Sequence, residues 1–240
     1  MASPLLQLET LFIFDAERRI TGTREPFGTR GPLFVLIRSS TAVAFAARSD
    51  LPSPLAEELS ALAETEPPTE ALRAPPLHAE RYLSLLADRL APGQDLRVKA
   101  AQSDGPAFTF PVELMPADDD VQPILEEQRL DQRFGSWMPG EIAGGRAPVL
   151  GVVRDGSPVS ICFCARSSER AAEAGLVTLE QHRGEGLGPR VTAAWALSLR
   201  ASGRIPLYST TWSNAASLAV ARKLRLAPYA SDWSLLDASS

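Results

Sequence analysis

Apolar and polar positions repeat with two different periods along this chain, and the two periods fall in separate segments. In 33–50, LFVLIRSSTAVAFAARSD, two apolar β-rich runs flank a Ser-Ser-Thr turn and predict a hairpin. SPLAEELSALAE (53–64) has helical spacing, with Ser53 as N-cap and Pro54 at a tolerated first position; Pro67-Pro68 ends it. In 75–93, Leu77, Tyr82, Leu85, Leu86 and Leu90 share one helical face, and Pro92-Gly93 stops the run. Turn formers in 101–108 predict a linker or domain edge, followed by a strand in AFTFPVEL. An acidic start favours a helix over 119–135. The clearest hairpin is APVLGVVRDGSPVSICFCARS, with Asp155-Gly156 as its turn. EAGLVTLE then predicts a strand, followed by a glycine-punctuated turn and a helix to about Ser202, capped by Gly203. A strand at 205–212, a helix at 213–226 and a strand at 227–236 complete the pattern.

The C-terminal part therefore reads β, α, β, β, β, loop, α, β, α, β. This is a mixed α/β (α+β) pattern, with helices interrupting a mostly antiparallel set of strands. We expect two parts, an N-terminal α/β region over 1–105 and a second domain over 106–240. A length of 240 residues suffices for either one large domain or two small ones. The formal charge of −5 argues against a general affinity for nucleic acid or anionic membranes. Arginine replaces lysine almost everywhere, Lys99 and Lys223 excepted, which fits a GC-rich bacterial genome. Cys162 and Cys164 sit two apart, on one face of a strand, and read as buried free thiols of a reducing cytoplasm. With His78 and His182 far apart, no zinc-ligand spacing is present, and we expect no metal. His78, on an opening helical turn, reads as exposed or capping. There is no basic-then-apolar leader and no apolar run near the ~20 residues of a membrane span, so a cytoplasmic protein is expected.

The candidate chemistry lies in QHRGEGLGPR, between a strand and a helix. A helix start offers unpaired N–H groups and partial positive charge, which together hold anions, phosphate above all. Gly184, Gly186 and Gly188 let the backbone approach a ligand, with Arg183 and Arg190 adding charge at either end. A nucleotide P-loop is excluded because Pro189-Arg190 stands where Lys-Ser/Thr is required. A dinucleotide fingerprint fits poorly: the spacing is G-x-G-x-G, late in the chain, after a hairpin.

The same residues resemble the acetyl-CoA loop of the GNAT N-acetyltransferases. The family motif Gln/Arg-x-x-Gly-x-Gly/Ala occurs twice in overlapping registers, from Gln181 to Gly186 and from Arg183 to Gly188. A second motif, a strand, an Asn and a helix ending in Lys-Leu-Gly-Phe, is similar to YSTTWSNAASLAVARKLRL, with Asn214, Ser217, Lys223 and Leu224 in place. The resemblance covers about 105–240 and implies a GNAT-like central sheet flanked by helices. It implies acetyl-CoA as cosubstrate and a primary amine as acceptor, with a homodimer left open. By position, Val177, Thr178 and Leu179 would pair with the pantetheine arm. Arg183, Gly184, Glu185, Gly186, Leu187 and Gly188 would cradle the pyrophosphate. Asn214 and Ser217 would lie beside the pantetheine and nucleotide, Asn214 also suiting a helix cap. The family's thiolate-protonating tyrosine falls at Ala221, and its Gly-Phe at Arg225-Leu226. Tyr208 and Tyr229 are the substitutes. For the base, Glu173 comes first, given a bulge that corrects its parity against Thr178, then Glu180 and Glu141. Trp137 and Met138 are candidates to line the acceptor pocket. A catalytically silent acyl-CoA-binding sensor is the competing reading, and Ala221 its supporting feature.

Overall fold

The fold was described from a computed structural model, which covers residues 1–89, 104–114, 120–127, 130, 134, 137 and 140–236. The chain opens with helix α1 (Pro4–Leu11), strands β1 (Phe12–Phe14), β2 (Ile20–Thr23), β3 (Phe34–Ser39) and β4 (Val43–Ala47), and helices α2 (Ser53–Ala63) and α3 (Ala79–Arg89). Strands β5 (Gly105–Thr109), β6 (Val121–Pro123), β7 (Leu150–Arg154), β8 (Ser157–Ser167) and β9 (Ala171–Thr178) follow. The end is α4 (Leu187–Ala201), β10 (Ile205–Ser209), α5 (Ala215–Lys223) and β11 (Ala227–Leu235).

Among the described residues, nine strands form one sheet in the order β4-β3-β11-β5-β10-β9-β8-β7-β6, while β1 and β2 pair by themselves. Every neighbouring pair in the large sheet is antiparallel except β9 with β10. The hairpin of β7 and β8 turns as its sequence demands. Asp155 and Gly156 both take positive φ, 49° and 75°, matching the twist of the strands they join.

Strand alternation sorts the core. Val35, Ile37, Ala107 and Ala230 face α1, packing with Leu8 and Leu11. Phe34, Leu36, Trp233 and Leu235 face the other way, against α2 and α3. On that same side, Phe108, Cys162, Cys164 and Tyr208 pack under Trp195 and Leu199 of α4. Both cysteines are buried free thiols, and burial pushes them up from ordinary thiol titration.

Four expectations change. Val121–Pro123 is a strand rather than helix, pairing with β7 at 150–152; part of 128–139 lies outside the described residues. The linker read at 101–108 gives way to β5 at Gly105, with 101–103 outside the described residues. The boundary drawn at 105/106 falls at the start of β5, and the sheet runs across it: β11 pairs with β5 on one side and β3 on the other. Ser53 is the first helical residue of α2, and Pro52 takes the cap position.

Candidate functional site

Strands β9 and β10 pair only from Ala171↔Ile205 to Glu173↔Leu207. Beyond that point they part, and β10 pairs with β5 through Ser209. The opening leads into a cleft of about 1250 Å³ that passes from the α4 side of the sheet to the α1 side. Thr178, Arg183, Gly184, Gly186, Leu187, Gly188, Asn214 and Ser217 border it on one side. Glu173, Tyr208 and Asp232 border it further in.

Antiparallel pairing decides which main-chain groups face the opening. Leu179 donates its N–H to Val159 at 3.0 Å, so by alternation the groups of Val177 also belong to β8. Those of Leu176 and Thr178 point to the parted edge, and the Thr178 carbonyl accepts from Arg183 Nε at 3.4 Å. The expectation for Val177 and Leu179 main chain therefore moves to Leu176, with Thr178 retained.

The glycine turn behaves as a cradle. Gly186 caps α4 in the left-handed region, φ 79°, with no side chain to take the helix's first N–H groups. A Cβ at Gly186 would meet nothing within 4 Å, so the space beside it is open. One at Gly188 would lie 3.3 Å from Leu176 and 3.5 Å from Val220; there the glycine serves close approach of α4 to the parted strand. Two charges differ from expectation. Arg190 pairs with Asp120 and Glu185 with His182 at 3.0 Å, and neither lines the cleft. Lys223, from the end of α5, does. Asn214 caps α5, its Oδ1 accepting from the Ser217 N–H at 3.0 Å, while also lining the cleft.

Glu173 is 3% exposed and accepts from Gln7 Nε2 (3.3 Å), Arg166 Nη1 (3.4 Å) and the Ser209 hydroxyl. The bulge expected in β9 sits instead in β8, between Cys164 and Arg166. β9 keeps strict alternation, so Glu173 and Thr178 face opposite sides, and both reach the cleft because it crosses the sheet. Glu180 is exposed on the turn after β9 and does not line the cleft. Glu141 is buried but tied to Arg146 at 3.2 Å, also outside the cleft. Trp137 stacks edge-on against Phe163, 5.1 Å between centroids, and does not line the cleft either; Met138 lies outside the described residues. His78 is likewise remote, its ring 3.0 Å from the Thr65 hydroxyl.

The Tyr208 hydroxyl lies 2.6 Å from Ser217 Oγ, and burial keeps it protonated above the usual phenol range. Ala221 is 2% exposed in the α4–α5 core. Sequence reasoning passed over several cleft residues, Arg166 and Ser209 beside Glu173 among them. Asp232, on β11, hydrogen-bonds Ser234 at 2.7 Å, and burial raises its carboxyl to about 6. Its signal was that it is the single charged residue of β11. Gln7 and Thr23, from the first 32 residues, carried no motif.

The site thus combines a helix start without a side-chain cap, a parted strand edge and a cleft that borders both. Residues 144–227 match the family model for GNAT acetyltransferases. The fold is similar to a GNAT-family protein from Novosphingobium aromaticivorans at a TM-score of 0.54 and 19% identity, covering 97% of this chain and 93% of that one. A GCN5-related N-acetyltransferase-like protein from Streptococcus suis aligns at 0.45 and 15%, over 85% and 84% of the two chains. A GCN5-related N-acetyltransferase from Kribbella flavida aligns at 0.43 and 21%, over 57% and 59%. No curated protein matches. The sheet and its flanking helices have the fold of the GNAT-family neighbour from Novosphingobium aromaticivorans, and residues 144–227 are similar to the GNAT acetyltransferase family model. Among the described residues, no helix is long and apolar enough to cross a membrane.

Proposed function

We propose that the chain transfers the acetyl group of acetyl-CoA to a primary amine by direct attack in a ternary complex. One observation carries the reading: an uncapped helix start, an open strand edge and a buried carboxylate all border one cleft. The N–H groups of Leu187 and Gly188 take the pyrophosphate, with Arg183 and Lys223 adding charge. Leu176 and Thr178 pair with the pantetheine amides as an added strand would. Asn214 and Ser217 border the same arm.

On the α1 side, Glu173 takes the ammonium proton, directly or through water, and the freed nitrogen attacks the thioester carbonyl. Alignment of nitrogen and carbonyl in the narrow part of the cleft supplies much of the acceleration. As the carbon–sulfur bond breaks, the nitrogen now bonded to the acetyl carbon loses its second proton to solvent, while Tyr208 gives its own proton to the leaving thiolate and recovers one from solvent. Residues 106–240 hold the cofactor, while 1–105 wall the acceptor side through Gln7, Phe12, Thr23 and Thr29.

Ala221 favours a second reading, a silent acyl-CoA sensor, since α5 carries no tyrosine facing the thiol. A thiol-release screen of acetyl-CoA against amine classes separates the two. Release with at least one amine is expected. Coenzyme A binding with no turnover on any amine would establish the sensor. Stabilisation by ATP or NAD in place of coenzyme A would contradict both.

A further inference from the structure

Gln7 sits where an apolar residue would be expected. It lies on α1 among Leu6, Leu8 and Leu11, all packed against the sheet, and is only 1% exposed. A buried amide costs stability unless both ends are paired. Both are, and to residues far away in sequence. Its Nε2 donates to Glu173 Oε1 at 3.3 Å, and its Oε1 accepts from the Tyr229 hydroxyl at 2.6 Å. The orientation is dictated by chemistry. A carboxylate can only accept, so the NH₂ end must face Glu173, and the Tyr229 proton is left to point at the amide oxygen. Burial and the charge of Glu173 keep that phenol protonated.

The two oxygens of Glu173 are thereby made unequal. Oε1 receives both Gln7 and the Ser209 hydroxyl, which fills its two lone pairs. Among the described residues, Oε2 receives Arg166 Nη1 alone, at 3.4 Å, and keeps a lone pair for a proton. We infer that Gln7, locked by Tyr229, is a positioning residue that presents Glu173 Oε2 as the proton acceptor, so that the N-terminal helix is part of the working site. The inference rests on the acetyl-transfer reading above. In the step, the ammonium N–H bond breaks, its proton bonds to Oε2, and Gln7 and Ser209 go on donating to Oε1 of the neutral acid. Buried length alone would be served as well by methionine, which explains nothing about the two directed hydrogen bonds.

The test uses the full chain and three variants: Gln7→Met, Tyr229→Phe and the double variant, each assayed with the best amine of the thiol-release screen. Gln7→Met is expected to lower kcat about tenfold while leaving KM for acetyl-CoA within about twofold. Tyr229→Phe should cost about threefold, because the amide remains but loses its lock. The double variant should be no slower than Gln7→Met, since both act through one path. Wild-type kcat in Gln7→Met overturns the inference, and so does a double-variant loss equal to the product of the singles. A parallel fall in kcat, acetyl-CoA affinity and melting temperature also overturns it, by showing a packing role only. If Gln7→Met does not fold, wild-type kcat in Tyr229→Phe is sufficient to overturn it. A wild-type chain that binds coenzyme A but acetylates no amine sinks the parent reading and the inference together; turnover with an indifferent Gln7 sinks the inference alone.

Discussion

At the scale of single residues, Glu173 shows how burial can be reconciled with charge. Three donors surround a carboxylate that is almost out of solvent, and the cleft reaches it from one side. Replacing it with glutamine keeps the volume and removes the proton acceptor. Glu173→Gln is expected to lower kcat about a hundredfold or more, with coenzyme A affinity unchanged in a calorimetric titration. Retention of wild-type kcat would move the base elsewhere, Asp232 being the next carboxylate in the cleft. Glu173 was readable as a candidate because it enters the strand before a recognisable loop. Gln7 and Asp232 were not. Nothing local marks a glutamine on a helix or an aspartate on a strand as facing a cleft until pairing brings β9, β11 and α1 together.

At the scale of elements, the β9–β10 fork depends on β5 filling the far side of β10. Gly105 opens β5 directly under the loop after β10, and a Cβ there would overlap the Thr210 carbonyl oxygen. Backbone cannot yield as a flexible side chain would. Gly105→Ala should therefore cost about 3 kcal/mol in urea unfolding, large for a single methyl. A cost below about 0.5 kcal/mol, the level of an ordinary surface change, would show that the fork relaxes freely. The legible elements were those with local signals: the 150–167 hairpin, with a turn that demands positive φ, and the loop and helix after β9. Strand β6 was misread as helix because Val121–Pro123 is short and its state is set by β7, across more than a turn of sequence. Strands β3 and β11 were legible as strands, but their pairing, which joins the two ends of the chain, was not.

At the scale of the whole molecule, the sheet stores carboxylates in unfavourable surroundings. Asp104 titrates near 7, raised first by burial and then by the charge of Asp232, with Arg38 opposing. The folded chain thus holds that proton more tightly than the unfolded chain, where an aspartate titrates near ~4. The contribution is complete below the unfolded value and is lost as pH rises from about 4 to about 7. Asp104→Asn, neutral throughout, should raise the melting temperature clearly at pH ~8 and by a smaller amount at pH ~5. Equal shifts at both values would contradict the assignment.

If the turn between β9 and α4 holds the pyrophosphate of coenzyme A, as proposed, a calorimetric titration of coenzyme A into wild type and Gly186→Asp will register it. Aspartate tolerates the left-handed region and would project into open space, so the fold should survive while a negative charge occupies the anion cradle. The account predicts saturable wild-type binding and an affinity at least about thirtyfold weaker in the variant. Equal affinity in the two proteins would contradict it.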